Sequence, residues 1–423
     1  MNNLPLSAEE FEYRHARTKA RWEHIPKKFR FFSQTLGRTQ AIGCVALEIT
    51  QRCNLDCTLC YLSKNSQSVP DLPMTELKRR VDVIRQEFGA GTNVQVTGGD
   101  PTMRPQEELL EVVRYIRARK MSPVLFTNGI KATRKLLRKL KEAGLAEVAF
   151  HVDNTQKRSG YTKEVELNQV REQYIERIRG LDLPVYFNTT VHQGNFHEIP
   201  ELVRFFVSYS DVVLIASFQI QTDIGRGIWH QRAKLITLDT VHRQIEKGLG
   251  RQMTWDALKM GHPECHRQTY ALVVGGKIVD CLDSPELIRL WLKDFGDFPL
   301  YRSRQWRNAW RILSRVIRRQ QWLLPAGRFL IRKVKAHGRD WIRGGFRAHN
   351  IMFFIENFQD RNRLGPERLD LCSFQVMTQN GPISMCLHNA HRNEYILPEN
   401  QPGVYPEEGL SSKPAAGMGC SRY

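Results

Sequence analysis

The chain has 423 residues, more than one ordinary domain, and 41% of them are hydrophobic, which supports a real core and excludes a disordered protein. A formal net charge of +19 points to an anionic partner such as nucleic acid, a membrane surface or a phosphorylated substrate, without choosing among them. No apolar run is long enough to span a bilayer and the N-terminus lacks the apolar stretch of a signal peptide, so a cytoplasmic protein is expected, peripheral on the inner face of the membrane as a variant, whose nine cysteines suggest metal ligands more than disulfides.

Residues 1–38 mix acidic and basic side chains without a strong apolar period, which predicts a basic helical extension packed on a larger body. From residue 39 to 235, short apolar runs alternate with charged helical stretches. The predicted strands are CVALEIT (44–50), NVQVTGG (93–99), SPVLFTNG (122–129), AEVAFHVD (146–153), PVYFNTTV (184–191) and VVLIASFQI (212–220). Helical segments lie between them, such as 74–89, 106–120 and 132–144, the last stopped by Gly144. About six strand–helix units predict an α/β fold, a partial (β/α)6 TIM-like barrel whose chemistry sits at the C-terminal ends of the strands.

The first predicted strand runs into QRCNLDCTLCYL, which holds Cys53, Cys57 and Cys60. Three residues and then two separate these cysteines, so one loop can wrap a corner of an iron–sulfur cubane and put thiolates on three irons. The fourth iron is left open for a bidentate amino acid. A structural zinc site is the competing reading, but zinc wants four protein ligands and no fourth Cys or His lies close by in the sequence. At the end of the second strand stands Gly98-Gly99-Asp100-Pro101, where two glycines let backbone approach a ligand closely and a carboxylate can pair with an ammonium.

With these motifs, residues 40–230 resemble the radical S-adenosylmethionine (SAM) superfamily. The resemblance implies a [4Fe–4S] cluster on the three cysteines, SAM as the bidentate ligand, reductive cleavage of SAM to a 5′-deoxyadenosyl radical, and an electron donor such as flavodoxin or ferredoxin. Two departures are visible: Leu59 stands where the family usually has an aromatic residue, and Asp100 where it has Glu. The resemblance also suggests that polar strand ends bind SAM, with Asn188 for the ribose and Arg226 for the carboxylate. Thr127, Asn128, His151, Asp153, Thr190, Gln219 and Gln221 are further polar residues at strand ends; capping of the loop backbone is the competing role for all of them.

Beyond residue 235 the alternation stops. Segments 236–300 and 349–423 each hold a cysteine, a strand, a glycine turn, four residues and a second cysteine: Cys265, Gly276 and Cys281, then Cys372, Gly381 and Cys386. The Gly275-Gly276 and Asn380-Gly381 pairs predict hairpins. This resembles the first half of the SPASM/twitch-like auxiliary-cluster segments attached to many radical SAM enzymes. It implies a C-terminal α+β unit with at least one auxiliary iron–sulfur cluster, with Cys420 as a further ligand. Buried free thiols are the alternative, and a packed core thiol is the reading for Cys44. His262, His266, His388 and His391 flank these cysteines as ligands, proton donors or structural residues.

Residues 301–348 hold much of the excess charge, with Trp306, Trp310, Leu313 and Ile317 on one helical face ringed by arginines and a second basic helix expected after Pro325. Such helices suit an anionic membrane surface, a packed cap or RNA. Together with a reaction suited to unactivated carbon, they favour a lipid or other long apolar substrate with an anionic head. A weak resemblance of layout to the lipid-chain-coupling (tetraether synthase-like) and pterin-methylating branches points the same way. Peptide maturation, tRNA modification and a non-catalytic iron–sulfur carrier are the alternatives; against the carrier stands the glycine turn, since a carrier needs no SAM pocket.

Overall fold

The computed structural model describes residues 6–228, 235–296, 305–345 and 347–404, with side chains in the third stretch from residue 310. Cys420 and the side chain of Trp306 lie outside the described residues.

The N-terminal helix α1 (Ala8–His24) opens with a reciprocal capping box between Ser7 and Glu10. Glu10 also pairs with Lys120 at 2.7 Å, and Arg14 reaches the Thr39 carbonyl at 3.0 Å, so α1 packs on the body. Six strands follow, β1 (Cys44–Thr50), β2 (Asn93–Gly98), β3 (Ser122–Thr127), β4 (Glu147–His151), β5 (Val185–Val191) and β6 (Val213–Ile220), all parallel and adjacent in chain order. Parallel neighbours need crossover connections, and helices α2 (Met74–Phe88), α3 (Gln106–Ala118), α4 (Arg134–Glu142), α5 (Asn168–Ile178) and α6 (Ile199–Ser208) supply them.

The side-chain period of two sorts each strand onto two faces. Val45, Leu47, Ile49, Val94, Val96, Val148, Phe150, Phe187 and Phe218 turn outward and are buried under the helices. The other face is polar toward the strand ends: Glu48 pairs in register with Thr97, His151 with Asn188, and Thr190 with Gln219.

After α7 (Leu238–Leu249) comes the hairpin β7 (His266–Val274) and β8 (Lys277–Asp280), then α8 (Pro285–Asp294), α9 (Gln305–Ile317) and α10 (Gln320–Arg343). Strand β9 (Ala348–Glu356) returns to the barrel and pairs parallel with β6 on one side and antiparallel with β7 on the other. Helix α11 (Pro366–Asp370) leads to the hairpin β10 (Phe374–Thr378) and β11 (Gly381–Ser384), and β10 pairs parallel with β1. Short helices α12 (Met385–Ala390) and α13 (Arg392–Ile396) follow.

The fold is the expected mixed α/β architecture on parallel strands, with one difference of detail. The two cysteine hairpins form no separate layer; each continues the barrel sheet, one at each edge, giving the order β11-β10-β1-β2-β3-β4-β5-β6-β9-β7-β8. The reason is edge pairing: exposed edges of β1 and β6 carry unpaired backbone groups that β10 and β9 satisfy. The sheet curls until β9 and β10 meet through side chains, with Phe354 and Phe374 6.0 Å apart and His266 stacked against both. The break between the two basic helices also falls earlier than Pro325, at Arg319, because Asp294 gathers Arg319, Gln321 and Trp322 at the start of α10.

One buried ion pair holds the outer layer. Arg171 of α5 and Glu164 are both fully buried, and Arg171 also donates to the Val152 carbonyl (2.8 Å) and Asn168 (2.8 Å). Removing one member strands the other charge, so Arg171→Met is expected to cost about 3–5 kcal/mol of stability, read from the denaturant midpoint.

Candidate active site

The loop that carries Cys53, Cys57 and Cys60 leaves the end of β1 and is pinned by the ends of four other strands. From β2, Gly98 accepts the Tyr61 hydroxyl, and Gly99 and Asp100 donate their backbone N–H to Thr50 and Arg52 carbonyls at 2.8 Å each. From β3, Asn128 donates to Asn54 at 2.7 Å and lies 3.9 Å from the Cys53 sulfur. From the β4 loop, the Thr155 carbonyl accepts the Thr58 N–H at 2.9 Å. From the β6 loop, the Arg226 N–H donates to the Cys60 and Leu62 carbonyls. Glycine is required where these backbones touch: a Cβ on Gly98 (φ +125°) would stand 1.9 Å from the Thr50 oxygen, and one on Gly99 2.1 Å from the Arg52 oxygen.

Asp100 has a structural part at the strand ends. It is buried, and both carboxylate oxygens are occupied: Oδ1 accepts Thr102 N–H (2.9 Å) and Thr102 hydroxyl (2.5 Å), while Oδ2 accepts Thr127 hydroxyl and Asn128 N–H (2.8 Å each). The short Asp side chain thus braces the ends of β2 and β3 beneath the loop.

Burial pushes the Cys53 and Cys57 thiols up; Asp100 and Cys60 push Cys53 further against hydrogen bonds from Leu55 and Asn128, and Asp153, Cys60 and Cys53 push Cys57 further against Arg226. The three sulfurs therefore share one electrostatic neighbourhood that iron's positive charge would relieve. Among the described residues no three Cys, His, Asp or Glu side chains converge on the position of a single metal ion. Three thiols spread along a loop suit the separate corners of a cubane.

The surroundings hold polar atoms without partners among the described residues. Arg226 pairs through Nη1 with Asp56 at 2.8 Å and lies beside the Cys60 thiol, while among the described residues its buried Nε and Nη2 meet no oxygen or nitrogen acceptor. Asn188 donates to Gln219 at 3.1 Å while its buried Oδ1 receives nothing, and Gln221 Nε2 is similarly unmet. A half-buried guanidinium and a buried amide with open polar atoms at the strand ends fit an anion and a hydroxyl-bearing ligand such as an amino-acid nucleoside. Leu59 lies with its backbone close enough to Gly227 that a Cβ there would stand 2.6 Å away.

The lumen below contains His151 paired with Asp153 at 2.6 Å, and Glu356, whose carboxylate accepts from the Ser217 hydroxyl at 3.2 Å. Burial pushes Glu356 up to about 7, and the carboxylates Asp153, Glu164 and Glu356 hold His151 above the usual histidine range against its burial. Sequence reasoning passed over Glu356, although a Glu amid the apolar run IMFFIEN is a signal for an inward polar position. It passed over Glu48 in CVALEIT as well. Glu48 accepts from Gln51 (2.9 Å) and Arg392 (2.6 Å), and Arg392 lies 4.8 Å over the Tyr61 ring, which ties α13 to the loop.

The second cysteine set separates. Cys265, Cys372 and Cys386 influence one another electrostatically, with Arg368 beside Cys265 and Cys386. Burial pushes Cys265 up to about 11 and Cys386 up to about 12. Cys281 stands apart, among Asp280, Lys333 and Asp283. Register explains the split. In the short hairpin Gln375 opposes Ser384, so Cys386 returns beside Cys372; β7 is nine residues long and β8 only four, so Cys281 returns beside Tyr270, about 17 Å short of Cys265. Cys44 is buried and sits near Glu356 and Cys372. Both ring nitrogens of buried His266 lack partners, His388 lies 3.9 Å from Glu48, His262 packs on Phe29, and His391 pairs with Glu394 at the surface.

Glu356 sets a pH test. Its folded pKa near 7 lies above the ordinary 4.5, so the unfolded chain loses the proton first and stability falls as pH rises from about 4.5 to 7. His151 adds the same sign at the upper end of this window. In iron-free protein Glu356→Gln should remove on the order of 3 kcal/mol of this pH dependence, measured as denaturant midpoints at pH 5 and pH 8.

Residues 47–206 match the family model "Radical SAM superfamily". The chain is 31% identical over 186 residues to the 7,8-dihydro-6-hydroxymethylpterin dimethyltransferase of Methanocaldococcus jannaschii, covering 43% of this chain and 36% of that protein. It is 29% identical over 197 residues to the AdoMet-dependent heme synthase of Methanosarcina barkeri (45% and 54% covered), and 28% identical over 188 residues to the PqqA peptide cyclase of Bradyrhizobium diazoefficiens (42% and 46% covered). The chain thus spans only 36–54% of the length of these curated relatives. A cysteine loop at the open end of a parallel-strand barrel, seated on a glycine turn and matched to the family over that stretch, makes residues 47–206 a radical SAM superfamily domain.

Proposed function

We propose that the chain is an enzyme that binds a [4Fe–4S] cluster through Cys53, Cys57 and Cys60 and holds SAM across the strand ends beside it. The observation that carries this reading is the set of polar atoms without oxygen or nitrogen partners among the described residues, Nε and Nη2 of Arg226 and Oδ1 of Asn188, at the same barrel end as the pinned three-thiol loop. When bound, the cluster and SAM supply a 5′-deoxyadenosyl radical that takes a hydrogen atom from carbon. The chain's own part is to orient and to exclude water. Arg226 would hold the SAM carboxylate, the Oδ1 of Asn188 would accept from a ribose hydroxyl, and the Gly98-Gly99 turn would let backbone come close. Asp100 positions that turn. His151, Gln219 and Glu356 face the substrate side of the lumen, where Glu356 is a neutral acid below about pH 7 and can hold a proton at its carboxyl oxygen. A carrier function needs no SAM pocket and leaves the open Oδ1 of Asn188 unexplained.

A second iron–sulfur centre is proposed on Cys265, Cys372 and Cys386, at the seam between β9 and β10. Its support is two buried thiols, Cys372 and Cys386, and the half-buried Cys265, with a guanidinium nearby; Cys281 is not part of this set. A reductant of the flavodoxin or ferredoxin kind is the electron source. The relatives' names cover a pterin, a heme and a peptide, so they do not select a substrate. Our proposal for the substrate remains a lipid or other long apolar molecule with an anionic head, supported by the exposed basic helices; comparing lipid extracts and tRNA digests of wild-type and deletion strains tests it.

Two outcomes are expected. Cys53, Cys57 and Cys60 all changed to Ala abolishes 5′-deoxyadenosine formation from SAM while leaving iron behind; continued formation overturns the reading. Changing Cys265, Cys372 and Cys386 together to Ala lowers iron and sulfide to about one cluster's worth, whereas Cys281→Ala leaves both unchanged.

A further inference from the structure

Helices α9 and α10 turn an apolar stripe toward solvent. Of the 14 large hydrophobic residues exposed among the described residues, nine lie between 310 and 342. In α10 they are Leu323, Leu324, Leu330, Ile331, Val334 and Ile342, at helical spacing that puts them on one side. Gly327 and Gly338 fall within the same stripe, and a Cβ on Gly327 would meet nothing within 4 Å.

The stripe is not the face by which the helix is attached. Trp322 is buried against Phe295 (5.2 Å between ring centroids) and donates to Asp294 at 2.7 Å. Lys333 bonds the Asp280 carbonyl at 2.6 Å and Asp283 at 2.8 Å, and Gly344 closes on Gly275. A packed cap therefore accounts for one side of α10 and leaves the other uncovered. Residues 310–343 carry ten Lys and Arg against one acid, Asp340, a net +9 within a chain of net +19. Arg328, Lys335 and Arg339 are exposed and border the stripe. Among the described residues no helix is long and apolar enough to cross a membrane.

We infer that the α9–α10 face is a docking surface for an anionic phospholipid bilayer, into whose headgroup layer Leu330, Ile331 and Val334 insert while the bordering cations meet lipid phosphates. An uncovered apolar stripe with a cationic border gains both burial and Coulomb attraction there, whereas tRNA supplies charge without an apolar layer. The inference stands independently of the chemistry in the barrel.

The test is flotation of the full, cluster-loaded protein with vesicles of phosphatidylglycerol and phosphatidylcholine or of phosphatidylcholine alone. Wild type should float with the anionic vesicles at low salt, be released by high salt, and stay off the neutral ones. The variant Leu330→Ser/Ile331→Ser/Val334→Ser should bind anionic vesicles at least tenfold more weakly with an unchanged melting temperature, because all three side chains are exposed. Arg328→Gln and Arg339→Gln should each weaken binding roughly fivefold. Three results overturn the inference: equal flotation on both vesicle types or on neither, binding unaffected by the Ser variant, or a wild-type dimer in light scattering that the Ser variant converts to a monomer without loss of vesicle binding. Retention on tRNA that exceeds vesicle binding and ignores the Ser variant overturns it as well.

Discussion

A loop with three thiols has little structure of its own, and its geometry depends on the buried carboxylate of Asp100. That group accepts from Thr102, Thr127 and Asn128 and so locks the ends of β2 and β3 together. With those ends fixed, Gly98 and Gly99 present bare backbone to the loop, Tyr61 reaches the Gly98 carbonyl, and Asn128 reaches Asn54. The buried carboxylate is stable because each oxygen is fully engaged. The neighbouring Glu48–Arg392 pair repeats this logic from the other side, since it fastens α13 under the Tyr61 ring and joins the end of the described chain to the start of the barrel.

The same barrel separates two electrostatic tasks. At its open end, thiols, an arginine with open donors and an amide oxygen leave room for charge that a ligand brings. Deeper, burial pushes Glu356 up to about 7 against the opposing pull of Ser217 and His151, while Asp153 bonds His151 directly and raises its affinity for a proton. Two buried carboxylates thus differ because Asp153 has a directly bonded imidazole while Glu356 has only the Ser217 hydroxyl and a more distant His151. The seam between β9 and β10 is closed by Phe354, Phe374 and His266, not by backbone bonds, and the second group of thiols lies along that seam.

Helix α10 is amphipathic twice over. Its attached side spends Trp322 and Lys333 on α8 and the β7–β8 hairpin, and its free side keeps an apolar stripe with a basic border. That division answers a question composition leaves open, since a Trp/Arg-rich segment reads equally well as a packed cap or a surface anchor.

Local chemistry made much of this protein legible from its residues alone. The three-cysteine loop, the glycine turn, the six strand–helix units and both hairpin turns depend on short-range spacing and on a period of two or 3.6, which a linear reading contains. The basic stripe of α9 is of that kind too. What the linear reading could not contain is pairing between segments far apart in the chain. Whether the cysteine hairpins stand apart or extend the barrel depends on which sheet edges are open. Whether Cys281 joins Cys265 depends on how far β8 runs along β7. Asp100 meets Thr127 or a ligand according to the stagger of β2 on β3, and Glu356 faces the lumen because β9 lands beside β6 in one register. A one-residue slip would reverse every side chain on that strand, so these assignments belong to the assembled sheet and not to any segment of the sequence.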